Sequence, residues 1–372
     1  MISKSYFPIL KTTTAEMRAI KNIDSLSLQK MMPAFELTKA RKSKYDPDGD
    51  VFKRIKEIKS TMNEQDFILD LTNDETLSNP QIDSFFDDID NWVEFIDHIS
   101  IGYSGCITPT VLMFEDSTAE ELRDSYHKLK EINNSVCVKI DMSTFYGNKN
   151  NDLKGNVFSL LEIVDEADYV IVDAGFIGNL NKDIIANYYT HQNNIRECVD
   201  LLKKTESIKP IKSIMENNRF IFSISCFPLT PIDAAKAEID FKNNNHKNSG
   251  TFGLHSYNIY KLVIRDVSSK ILYGDYGCIH PNRVQAKAFS WVHRIDYPLL
   301  DKIIYYRDKA GYAFCAKKIR ELPEFQSDKI QCWGRDEIYS AANGLPNGLS
   351  PSYWISVRSN IHMTRMAHIN ER

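Results

Sequence analysis

The sequence lacks the short signatures that announce a familiar chemistry. No G-x-S-x-G elbow, no H-E-x-x-H helix and no G-x-x-x-x-G-K-[ST] loop occurs in it. Its 7 cysteines form no C-x-x-C pair, so neither a zinc ribbon nor a disulfide framework is indicated. Several lie inside apolar runs such as SVCVKI and FSISCF, as buried thiols in a reducing compartment do. No unbroken apolar run approaches the roughly 18 residues that would span a bilayer. The opening MISKSYFPILK has no apolar h-region, so secretion is not expected and a cytoplasmic setting is. Basic residues are missing altogether from 63–97, a stretch with 11 acids and net charge −11.

What is present is ordinary globular composition. The 372 residues are 42% hydrophobic and 26% charged, which excludes collagen-like and wholly disordered chains. The total charge of −4 hides an uneven distribution. Residues 1–62 carry net +6, residues 98–242 net −6 and residues 243–372 net +7. Such a sum excludes a wholesale polyanion binder but leaves room for a basic surface. In the acidic stretch, Phe85, Phe86, Ile89, Trp92, Val93 and Ile96 alternate with Asp83, Asp87, Asp88, Asp90, Glu94 and Asp97. That spacing predicts an amphipathic helix with a solvated acidic face.

Short apolar runs alternate with helical patterns along most of the chain. The strand-like runs are YFPIL, MMPAFEL, DFILDL, TPTVLMF, SVCVKID, DYVIVDAG, RFIFSISCF and SSKILYGDYG. Helical patterns such as VFKRIKEIKSTM and AEELRDSYHKLKEI separate them, the latter opened by a capping box from Ser117 or Thr118. Strands buried on both faces and joined by helices predict a parallel sheet. The loop after the first strand, KTTTAEM, has no glycine, so a Rossmann phosphate loop is absent. The expectation is an α/β fold: a (β/α)8 TIM-barrel-like unit over 1–284, with a C-terminal α+β extension over 285–372 packed on it. In the extension, KIIYYRD and GYAFCAKKI read as a strand pair. The Asn-rich FKNNNHKNSGTFG reads as a loop between the seventh and eighth units.

Barrel sites lie at the C-terminal ends of the strands. The residues there are Lys11, Glu36, Asp70, Glu115, Asp116, Lys139, Asp141, Asp173, Ser225, Asp275 and Tyr276. Asp70, Asp173, Asp275, Lys139 and Asp141 are the catalytic candidates. Lys11, Glu36, Tyr276, His362 and Arg358 are the substrate-binding candidates. Asp70 and Asp173 could hold Mg²⁺ or Mn²⁺ through oxygen ligands, and such an ion would act on a nucleotide or nucleic-acid phosphoester. The same carboxylates could instead cap helices or satisfy neighbouring lysines. In the C-terminal part, Tyr305, Tyr306, Tyr312, Trp333 and Trp354 are interleaved with Arg307, Lys317, Lys318, Arg320, Arg335 and Arg358. This pattern fits either a nucleic-acid surface or a core with snorkelling cations.

Three stretches also carry a family resemblance. YFPILKTTTAEMRAIKNI followed by MMPAFELTK, the turn Gly274, Asp275 and Tyr276, and the ending PSYWISVRSNIHMTRM with Trp354 and His362 together resemble the Beta protein family of phages and prophages. Ile361 stands where that family has a second His, so no paired-His role is expected. The resemblance implies a barrel-like α/β protein from a prophage or satellite gene cluster concerned with phage exclusion and host-toxic activity. It implies as partners a Gop-type protein and a small regulator from the same cluster. It carries no catalytic residues.

Overall fold

The computed structural model of the chain describes residues 4–142, 152–178, 193–229, 248–282 and 292–369. Eight strands make one parallel sheet: β1 (Tyr6–Lys11), β2 (Ala34–Leu37), β3 (Phe67–Leu71), β4 (Ile107–Pro109), β5 (Cys137–Asp141), β6 (Tyr169–Phe176), β7 (Phe220–Ser225) and β9 (Leu272–Asp275). Their order is β4-β3-β2-β1-β9-β7-β6-β5. A parallel bridge from Thr110 to Cys137 joins the two edge strands, so the sheet is a nearly closed barrel with helices around it, as the strand count predicts.

Strand alternation sorts the side chains. Phe7, Ile9, Ala34, Ile68, Cys137, Tyr169, Ile171 and Ile221 point inward and pack as one apolar cluster in the lumen. Tyr6, Leu10, Phe35, Leu69, Val138, Val170, Phe222 and Tyr273 point outward into the larger core shared with the helices. Continuing the inward series toward the strand ends gives Lys11, Glu36, Asp70, Lys139 and Asp173. Register sets several of these at one level, pairing Lys11 with Glu36, Glu36 with Asp70 and Asp141 with Asp173. The lumen is therefore apolar below and charged at its mouth.

The acidic stretch forms two helices, Pro80–Asp87 and Ile89–Ser100, broken at Asp88. Asn79 caps the first through the Ile82 amide, and Asp88 caps the second through the Asp90 amide. Trp92 is fully buried, and its indole N–H donates to the Thr110 carbonyl at 3.1 Å. The acidic helix thus braces the β4–β5 junction from outside. Thr118 and Glu121 make the predicted capping box on the helix Ala119–Ile132.

Three sequence expectations need correction. First, β4 ends at Pro109, which leaves Glu115 and Asp116 on the following loop, away from any strand end. Second, GYAFCAKKI is a helix, Tyr312–Arg320. Its buried residues Tyr312, Cys315, Ala316 and Ile319 recur at the helical period. The partners of β11 (Lys302–Asp308) are instead β10 (His293–Pro298) and β8 (Ser249–Gly253), in an antiparallel sheet. Third, the end of the Asn-rich segment is that strand β8, while residues 241–247 lie outside the described residues.

The helix Pro351–Ala367 links the two halves. Trp354, Val357 and Ile361 pack in the core beside the small sheet, whereas Met363, Met366 and Ala367 belong to the barrel core.

Candidate functional site

Lys139 sits at the centre of the barrel mouth. Its Nζ lies 2.8 Å from Asp70 Oδ2, 3.0 Å from Glu36 Oε1 and 3.9 Å from Asp173 Oδ2. Lys11 Nζ holds the other Glu36 oxygen at 2.5 Å. Thr110 donates to Asp70 Oδ1 at 2.7 Å, and Tyr276 donates to Asp173 Oδ2 at 2.5 Å. The Gly175 amide completes Asp173 at 3.0 Å through Oδ1. Lys11, Glu36, Lys139, Asp141, Asp173 and Tyr276 all line one cavity of about 290 Å³, with Asn73, Asp74, Pro281 and Asn282 on its rim.

Burial and charge divide the labour among these groups. Burial pushes Glu36 up, but Lys139 and Lys11 outweigh it and hold the carboxyl at about 2. Burial opposes the charge of Lys139, yet Asp70, Glu36 and Asp173 keep the ammonium well above its ordinary pKa. Asp173 goes the other way. Burial, with the charge of Asp141 added, outweighs Lys139 and raises it to about 6. Burial and the charge of Asp173 push the Tyr276 phenol well up. One fixed carboxylate, one fixed ammonium and one carboxyl that titrates near neutrality therefore share a cavity. Pairs whose environments drive their pKa values apart are what acid–base work requires.

The donor set speaks against a resident divalent ion held by Asp70 and Asp173. Both carboxylates converge on the Lys139 ammonium, which stands where the ion would have to sit. Among the described residues, no group of three or more His, Cys, Asp or Glu side chains is placed to hold a metal.

Not every candidate gathers here. Asp275 points out of the barrel, because Leu272 and Tyr276 face the lumen and alternation turns Tyr273 and Asp275 away. Tyr6 and Tyr273 donate to it at 2.5 and 2.8 Å, the Gly277 amide at 2.8 Å, and His362 Nε2 lies at 2.7 Å. Burial would raise this carboxyl, but His362 and the hydrogen bonds hold it below its ordinary value. Asp275 and His362 thus form a buried joint between the barrel and the C-terminal helix. Arg358 is also buried, 2.6 Å from Asp296 and stacked over Phe227. The aromatic stripe of the C-terminal part is largely core: Tyr305, Tyr312, Trp354 and Arg358 are all buried, which removes them as a stacking platform for bases. Ser225 is buried, with its hydroxyl donated to by the Phe227 amide.

The sequence reading missed Thr110, Asn73 and Ser223. Ser223 is fully buried and lies on the inward face of β7, in register with Asp173. Counting in twos from Ile221 would have placed it in the lumen.

Comparison with known proteins gives the chain a family. Residues 6–368 match the Beta protein family. The chain belongs to the Beta protein family. It is 26% identical to Protein beta of Enterobacteria phage P4, over 99% of this chain and 94% of that protein. Among solved structures, it is similar to the spore cortex-lytic enzyme SleL of Bacillus megaterium QM B1551. That likeness covers 96% of this chain and 74% of SleL, at 11% identity and a TM-score of 0.37. Among the described residues, no helix of this Beta protein is long and apolar enough to cross a membrane.

Proposed function

We propose that this Beta protein is a cytoplasmic component of a phage-encoded exclusion system, and that the barrel mouth is its working centre. Asp173 exchanges a proton with a bound ligand there, while Lys139 and Tyr276 hold the charge that develops. The observation that carries this reading is a buried carboxyl raised to about 6 inside a polar cavity at the strand ends. Phage origin of the related Protein beta supports the setting. The partners are proteins of the same gene cluster, a Gop-type protein and a small regulator, which would couple the barrel to the outcome of infection. A phosphoester substrate is less well supported than a non-anionic one. Among the described residues, Glu36, Asp74, Asp141 and Asp173 line the cavity, with Lys11 and Lys139 as its cations.

The test is phage challenge of cells carrying the cluster with Asp173→Asn. Asp173 is expensive to ionise in place, so the variant should melt at the wild-type temperature or above it. Protection should nevertheless fall to that of cells without the cluster. Full protection by the folded variant would overturn the proposal.

A further inference from the structure

An outer groove of about 270 Å³ is walled by the acidic helices Pro80–Asp87 and Ile89–Ser100 on one side and the helix Ala119–Ile132 on the other. It shares no lining residue with the mouth cavity. Phe86, Ile89, Leu112, Phe114 and Leu122 give it an apolar floor, and Phe114 is 40% exposed. An apolar void of roughly 150 Å³ already admits a benzene ring, so this groove has room for the ring of one large aromatic side chain.

The rim is acidic. Asp116, Glu121 and Asp124 line the groove, and Asp87 and Asp88 stand exposed in the chain between Phe86 and Ile89. Asp124 and Asp90 share Lys128, at 3.0 and 2.7 Å, and Arg123 is turned to Ser159. Asp88 and Glu121 accept from uncharged donors. Among the described residues, Asp87, Asp88, Asp116 and Glu121 meet no cation. The two acidic helices fall largely in the stretch 63–97, which has 11 acids and no Lys or Arg. Such a surface repels anions and draws cations.

Ser125 is a second, independent observation. It lines the same groove, is 5% exposed, and its hydroxyl has no hydrogen-bond partner. A buried hydroxyl left unpaired costs stability. A donor on the edge of an entering ring would pair it, and the indole of a tryptophan carries one. We propose that this groove docks a basic segment of a partner protein. One tryptophan of that segment sits on Phe86, Phe114 and Leu122 and donates its indole N–H to Ser125, while flanking lysines or arginines face Asp87, Asp88 and Asp116. An apolar anchor in a groove ringed by charge is a common mode of peptide recognition. The proposal adds a docking surface to the partner part of the proposed function and uses none of its acid–base chemistry.

Fluorescence anisotropy on the full chain tests it with labelled synthetic peptides. The probe is a lysine-rich peptide with a single central tryptophan; its companions carry Phe or Ala in place of that tryptophan, or Glu in place of every lysine. The tryptophan peptide should bind about three- to tenfold more tightly than the Phe peptide and at least about thirtyfold more tightly than the Ala peptide. The Glu peptide should not bind, and added salt should weaken the tryptophan peptide. Ser125→Ala discards a hydroxyl that the fold leaves unpaired, so this variant should melt like wild type, and its preference for Trp over Phe should shrink by about threefold or more. Asp116→Lys should weaken the tryptophan peptide about tenfold, whereas Asp301→Lys, the same charge change on the turn before β11, should leave it within about twofold.

Absence of binding by the tryptophan peptide would overturn the proposal. So would a Trp preference untouched by Ser125→Ala, or equal losses in Asp116→Lys and Asp301→Lys. Dimers of the chain that Phe114→Ser disperses, with no peptide bound, would assign the groove to a second copy and overturn it as well. Asp173→Asn should bind the peptide like wild type. Failed peptide binding beside lost protection in Asp173→Asn would remove the docking surface and leave the working site. Peptide binding as expected beside full protection in Asp173→Asn would do the reverse.

Discussion

Glu36 and Asp173 are two carboxyls in one cavity with opposite fates, and the difference is which ammonium each one reaches. Among the described residues, Glu36 has Lys11 and Lys139 at 2.5 and 3.0 Å, whereas Asp173 has Lys139 alone, at 3.9 Å. The sign of each contribution to stability follows. Glu36, lowered to about 2, stabilises the fold above its ordinary value of 4.5 and loses that contribution as pH falls toward 2. Asp173, raised to about 6 from 3.8, imposes a cost that grows as pH rises between those values and is constant above them. Glu36→Gln leaves Lys11 without its carboxylate and Lys139 with one fewer. It should destabilise the protein by about 3 kcal/mol at pH 7, as loss of one member of a buried ion network does. Urea unfolding of the variant and wild type, at pH 7 and again at pH 3, checks this. The difference should shrink at the lower pH. The identity of these residues was readable in the sequence, because apolar strands ending in Asp, Glu or Lys are visible there. Their division into fixed and titratable groups was not, since it depends on distances of 2.5 to 3.9 Å set by neighbouring strands.

At the scale of elements, the parity of a strand decides where each residue of a turn points. The Gly274-Asp275-Tyr276 turn supplies residues to two sites: Tyr276 to the lumen and Asp275 to the C-terminal helix. Treating the strand end as one spot merged the two. Alternation from Leu272 separates them. A helix mistaken for a strand has the same kind of cause. Aromatic content outweighed the spacing of Tyr312, Cys315, Ala316 and Ile319, which is helical. Gly274 has its own requirement: a Cβ there would lie 2.8 Å from the Phe7 carbonyl oxygen, so the close approach of β1 and β9 needs a residue without one. The joint made by Asp275 predicts the behaviour of the C-terminal helix. His362→Leu removes one hydrogen-bonding partner of a buried carboxylate, which should cost about 1 to 3 kcal/mol. The helix Pro351–Ala367 should then become sensitive to limited proteolysis. Cleavage no faster than in wild type would show that the apolar contacts of the helix hold it alone.

The whole molecule is a barrel whose hoop is sewn unevenly. Every other neighbouring pair of strands shares at least two register partners among the described residues, but β4 and β5 meet through Thr110 and Cys137 alone. The Val111 amide donates to the Cys137 carbonyl across that junction at 2.9 Å, whereas the Thr110 amide donates back to β3, to the Leu69 carbonyl at 3.0 Å. Adjacent amides thus report on different sides of the same gap. Native-state hydrogen exchange should release Val111 through a smaller opening than Thr110, with its protection lower by about 1 kcal/mol or more. Equal protection at the two positions would mean that the barrel opens only as a whole. The strand order of such a ring was legible in eight apolar runs, but the place of its weakest stitch was not. That depended on β4 stopping at Pro109, three residues long, where an uninterrupted run in the sequence suggested a longer strand.

The brace that Trp92 lays on Thr110 then acquires a mechanical meaning. A stave held by one stitch and one strut will yield there first under load, and the strut belongs to the most acidic segment of the chain. Anything that pulls on that segment therefore pulls on the seam of the barrel.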